Sequence, residues 1–120
     1  MGAFFLLRLN DHIQYLNRIK ATLNGTGDFR GCGHHDCKLG KWMDGAGPTE
    51  AAEVGPAAKA VFDALAEPHQ QFHAASAKAL ELSLAGNAGA AETEITAMHT
   101  LSALLVDRLL ELDRLSVAAK

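Results

Sequence analysis

The sequence predicts an all-α domain, arranged as a four-helix up-and-down bundle with a long loop between the first and second helices. Alanine and leucine are abundant, aromatic residues make up only 6% of the chain, and apolar residues recur at helical spacing. Residues that favour strands are correspondingly scarce. The 120 residues suit one domain, spanning 1–120.

The first predicted helix runs from Phe5 to Leu23 and has an inward apolar stripe at positions 5, 9, 16, 19 and 23. Position 12 belongs to the same stripe but carries His12. Asn24 and Gly25 then end the helix, because both readily adopt the left-handed conformation that closes a last turn. Residues 25–49 hold most of the eleven glycines, so we expect an irregular loop with at most short helical turns.

Three further helices are expected, over about 49 or 51 to 65, 69–84 and 90–115. Pro56 either trims the first turn of the second helix or marks its start, and Pro68 opens the third. The fourth helix has more apolar width than one core stripe needs, at Leu101, Leu104 and Leu105 among others. We therefore expect it to contribute to self-association.

His69 and His73 are the first indication of chemistry. Residues four apart lie on one face of a helix, so the two imidazoles can bind one metal ion together. The spacing alone is weak evidence, because such pairs also occur as ordinary surface or core histidines. This pair, however, heads an inward stripe, and two buried imidazoles require an explanation.

His12 and Cys37 complete a candidate site. A lone core histidine is usually only hydrogen-bonded, but three imidazoles projecting from facing helices of a bundle form a common metal-site design. Cys37 would add a thiolate, which gives the ligand mixture that zinc prefers. A local loop site of Cys32, His35 and Cys37 is an alternative, although it leaves the helical histidines unexplained. His99 is expected to flank the core without binding metal.

The segment Cys37-Lys38-Leu39-Gly40-Lys41-Trp42, preceded by His12 and followed by His69-x3-His73, resembles the chemoreceptor zinc-binding (CZB) domain family. The likeness spans essentially the whole chain. It implies Zn²⁺ as the bound metal and His12, Cys37, His69 and His73 as its ligands. Leu39 and Trp42 are expected to anchor the loop that carries Cys37.

The same resemblance implies a sensory or regulatory domain of bacterial signal transduction that is cytoplasmic, forms a homodimer and is not an enzyme. Its output domain, of the methyl-accepting or GGDEF (diguanylate cyclase) type, would lie in cis or in trans. The signal would be zinc itself or oxidation of the zinc-binding cysteine. Two alternatives remain open: a structural zinc bundle that acts only in dimerisation, and a zinc-dependent hydrolase.

The charge balance argues against two classes of partner. The net charge of -3 provides no basic surface for nucleic acid or for anionic lipid. No apolar run approaches the roughly 20 residues that cross a bilayer, and no signal peptide is evident. We therefore expect neither nucleic-acid binding nor membrane contact by this domain.

Overall fold

The fold is all-α, as predicted, in a computed structural model that describes residues 5–119. Residues 1 and 120, the predicted limits of the domain, lie outside that range. The described part contains no strand, and its helices are α1 (Phe5–Leu23), α2 (Lys38–Asp44), α3 (Gly47–Val54), α4 (Pro56–Asp63), α5 (Ala66–Leu84) and α6 (Ala88–Ala118).

Helix α6 forms the long side of the molecule. Its 31 residues extend over about 46 Å, in keeping with overall dimensions of 50 × 21 × 19 Å. The helix packs most extensively on α5 and also contacts α1 and α4. Met98, Leu105, Leu109 and Leu112 of this helix are fully buried.

The four-helix arrangement with one long loop is not confirmed, because the second predicted helix consists of two short ones. Helix α3 ends at Val54 and α4 begins at Pro56. Gly55 separates them with φ +146°, a backbone conformation that residues other than glycine rarely adopt. Pro56 also disfavours helical geometry at the residue before it, so the break is encoded locally.

The predicted loop is also more ordered than expected, because α2 and the start of α3 lie within it. The irregular segment between α1 and α2 covers only 24–37. Leu39 and Trp42 of α2 are buried, and the Trp42 ring packs edge-on against Phe5 and Phe62. Trp42 Nε1 donates a hydrogen bond to Glu50 Oε1 at 2.9 Å. Both residues therefore anchor the segment that follows Cys37, as predicted.

Among the described helices, none is both long enough and apolar enough to cross a membrane.

Candidate metal centre

Helix α5 places His69 and His73 on its buried face, as its sequence periodicity predicts. Their side chains are 2% and 6% exposed, and their ring centroids lie 4.8 Å apart. Ser76 and Leu80, which follow them at helical spacing, are buried as well. The imidazole pair therefore belongs to the interior of the domain.

Cys37 meets this pair from the end of the irregular segment. Its Sγ lies 3.3 Å from His69 Nε2. One donor atom from each of Cys37, His69 and His73 lies within 4.8 Å of the others. A thiolate with neutral imidazoles is the donor set that zinc prefers, so these three residues fit Zn²⁺ by their chemistry.

A backbone contact fixes the tautomer of His73. Its Nδ1 lies 2.9 Å from the carbonyl oxygen of Cys32. A carbonyl can only accept, so Nδ1 carries the proton and Nε2 is left with a free lone pair for a metal. This is the outer-shell arrangement that commonly orients metal-binding histidines. No sequence pattern indicates this contact, because the partner is a backbone atom 41 residues away.

The backbone of Cys32 is held in place by Tyr15 of α1. The Tyr15 hydroxyl accepts from the Cys32 amide at 3.0 Å and donates to its carbonyl oxygen at 3.2 Å. Gly31 permits this approach, because its φ is +82° and a Cβ there would lie 2.9 Å from the Tyr15 hydroxyl oxygen. Helix α1 thus positions the carbonyl group that orients His73.

Gly40 holds Cys37 from the other side. Cys37 is the N-cap of α2, and its Sγ accepts from the Gly40 amide at 3.2 Å. A Cβ on Gly40 would lie only 1.8 Å from the carbonyl oxygen of His34. The glycine in the Cys37–Trp42 motif therefore permits close contact between α2 and the segment that precedes it.

His12 lies on the buried face of α1, at 3% exposure. Its Nε2 is hydrogen-bonded to Ser102 Oγ of α6 at 2.8 Å, and its ring packs edge-on against Phe72 at a centroid distance of 4.7 Å. The group of three donor atoms does not include His12. When Nε2 donates its proton to Ser102 Oγ, Nδ1 carries the lone pair that a metal needs; when Nε2 accepts the Ser102 proton, Nδ1 is the protonated nitrogen.

Burial keeps the histidines in their neutral, metal-binding form. It lowers the pKa of His12 to about 4 and that of His69 to about 3, with a further contribution in both cases from the charge that His73 would carry. Burial also lowers the pKa of His73, and this effect outweighs the hydrogen bond to the Cys32 carbonyl, which raises that pKa. It raises the pKa of the Cys37 thiol, so a bound metal would have to displace that proton.

The alternative loop site is not assembled. Cys32 is exposed, and its thiol is not part of the donor group. The His35 ring is hydrogen-bonded to Asp44 instead, with Nδ1 2.7 Å from Oδ2. His99 is exposed on α6, as expected for a residue that flanks the core.

His34, which its position beside Cys37 in the sequence makes a competing candidate ligand, lies close to the donor group. Its ring centroid lies 6.1 Å from that of His69 and 6.4 Å from that of His73. The segment 24–37 has no periodicity from which such a placement could be predicted.

Comparison with known protein families gives one match. The family described as the chemoreceptor zinc-binding domain matches residues 12–80, which is more than half of the chain and includes His12, Cys37, His69 and His73. No curated protein and no solved structure matches significantly. The chain belongs to the chemoreceptor zinc-binding domain family.

Proposed function

We propose that this chain is a zinc-binding regulatory domain of bacterial signal transduction. The observation that carries the proposal is the buried group of Cys37, His69 and His73, in which the Cys32 carbonyl leaves His73 Nε2 free. When bound, zinc would link the 24–37 segment to α5 through Cys37, His69 and His73. The protein contributes the pre-formed neutral imidazoles and the thiol that becomes a thiolate.

We assign His12 as the fourth ligand. Its burial and its place in the family pattern support this assignment, and Nδ1 would be available to the metal when Nε2 donates to Ser102. Four protein ligands would close the coordination sphere, whereas catalytic zinc keeps an open position for water. The closed sphere favours a regulatory site over a hydrolase.

Metal analysis of purified variants tests the ligand set. The wild-type domain should bind about one zinc ion per chain, as expected for a four-ligand site. Alanine at His12, Cys37, His69 or His73 should weaken binding far more than alanine at Cys32 or His99. Loss of zinc in Cys32→Ala with retention in His12→Ala would favour the local loop site.

A sensor and a structural zinc site predict different behaviour when the metal is removed. Apolar contacts hold α2 independently of the ligands, because Leu39 and Trp42 are buried against the core. A sensor should therefore stay helical after chelation while hydrogen exchange rises in 28–44. Global unfolding on chelation would instead favour a site with only a structural role.

The output would reach a signalling domain of methyl-accepting or GGDEF type, in cis or in trans, in the bacterial cytoplasm.

We propose that the zinc-binding domain acts as a homodimer, since Leu110 and Val117 of α6 are 46% and 62% exposed. Analytical ultracentrifugation of wild type and Leu110→Glu tests this. A monomeric wild type, or a variant that still dimerises with unchanged affinity, would exclude this face.

A further inference from the structure

Two histidines that the proposed ligand set does not use extend from the surface to the buried donor group. The rings of His34 and His35 lie 4.1 Å apart between centroids, and His34 lies 6.1 Å from His69 and 6.4 Å from His73. His35 is exposed and His34 is half-buried, whereas His69 and His73 are buried. The four imidazoles thus form a series of decreasing exposure.

Two cavities follow the same path. One of about 250 Å³ is lined by His34, His35, Asp44 and His69 among others. A second, of about 370 Å³, is lined by His34 and His73. His34 therefore borders both cavities, each of which reaches one of the metal-binding histidines.

At the outer end of this series, Asp44 orients the His35 ring. Asp44 Oδ2 lies 2.7 Å from His35 Nδ1. The carboxylate accepts the proton of Nδ1, which leaves Nε2 as the nitrogen available to a metal. Zinc-binding histidines often donate their other ring N–H to a carboxylate in this way.

Burial of the donor group creates a kinetic problem for zinc. The side chains of Cys37, His69 and His73 are at most 8% exposed, while zinc arrives from solution with a water shell. Exchanging waters for protein ligands one at a time avoids desolvating the ion in a single step. Imidazoles placed between solvent and site are suitable intermediate ligands.

We propose that His35 and His34 are a transient zinc-binding route that delivers the ion to Cys37, His69 and His73 and receives it on release. The inference rests on the proposed function, because it assumes that the buried group binds zinc. A route of this kind lowers the barrier for both directions equally, so it sets the rate of exchange and leaves the equilibrium affinity unchanged.

Exchange kinetics test the route in His34→Gln and His35→Gln, with His99→Gln as a matched control, an exposed histidine on α6. Stopped-flow absorbance would follow Co²⁺ uptake by the metal-free domain, and a coloured chelator in excess would report Zn²⁺ release. Both rates should fall by roughly tenfold in His34→Gln, equivalent to about 1.4 kcal/mol of barrier, and by less in His35→Gln. The control should exchange at the wild-type rate.

Equilibrium titration of the same variants separates this inference from the proposed function. Unchanged Kd with slower exchange in both directions supports the route. Wild-type exchange rates in His34→Gln overturn it while leaving the zinc site intact. A weaker Kd with faster release would also overturn it, since His34 would then be a resident ligand. Failure of the wild-type chain to bind zinc at all would instead refute the proposed function.

Discussion

Gly40 offers a test of how closely the metal site depends on backbone packing. In Gly40→Ala, the new Cβ would lie 1.8 Å from the His34 carbonyl oxygen and 2.9 Å from its carbonyl carbon. Cβ contacts require at least 3.0 Å, so α2 and the preceding segment must separate by about 1.2 Å. Neither contacting atom belongs to a flexible side chain, so the strain must move backbone.

That displacement acts directly on Cys37, because its Sγ accepts a hydrogen bond from the Gly40 amide. Zinc-ligand distances tolerate changes of only about 0.2 Å, so a shift of this size should misplace the thiolate. We expect zinc affinity to fall by about 10 to 100-fold, which corresponds to about 1.4 to 2.8 kcal/mol. Overpacking should also lower the free energy of unfolding by about 1 to 3 kcal/mol.

Competition titration against a coloured chelator measures the affinity, and far-UV circular dichroism confirms that the helices persist. Gly89→Ala is the matched control, because a Cβ there has no atom within 4 Å and should leave zinc binding unchanged. Wild-type zinc affinity in Gly40→Ala would mean that the motif glycine does not position Cys37.

Three further predictions concern the stability of the protein in acid, the hydrogen bond between His12 and Ser102, and the oxidation of the two cysteines. His12 has a folded pKa of about 4 against 6.5 when unfolded, so the unfolded chain binds more protons. The contribution of His12 to the unfolding free energy of metal-free protein should therefore be constant above pH 6.5 and fall by about 3 kcal/mol through pH 4, in addition to the contributions of His69 and His73; denaturant titrations that show no fall would contradict the burial of these imidazoles. Ser102→Ala removes the partner of His12 Nε2 and should weaken zinc affinity about tenfold, measured by chelator competition, whereas the buried Ser116→Ala on the same helix should not. Limiting hypochlorous acid should modify Cys37 before Cys32 in the zinc-loaded protein, and the order should reverse once zinc is removed, because burial raises the pKa of the free thiol. Mass spectrometry decides the order, and earlier modification of Cys32 with zinc bound would argue against a redox signal at the metal.

The parts of the site that the sequence could predict are those carried by helical periodicity. His69 and His73 share a face because α5 is regular, and His12 occupies an inward position of α1 for the same reason. The buried faces of both helices could therefore be predicted without a structure.

The remainder depends on contacts between residues distant in the chain. Helix α2 has seven residues, too few to be stable alone, and its existence follows from burial of Leu39 and Trp42 in a core that local patterns do not reveal. The His12 contact with Ser102 joins residues 90 positions apart. The placement of His34 depends on the irregular path of 24–37, where no period constrains the chain.

We propose that one zinc ion is bound by one cysteine and three histidines. X-ray absorption at the zinc edge of the purified, zinc-loaded chain measures this directly. We expect one sulfur at about 2.3 Å and three nitrogens at about 2.0 to 2.1 Å, with no bound water. Two sulfurs, which would bring Cys32 into the site, or a light-atom ligand from solvent in place of an imidazole would contradict it.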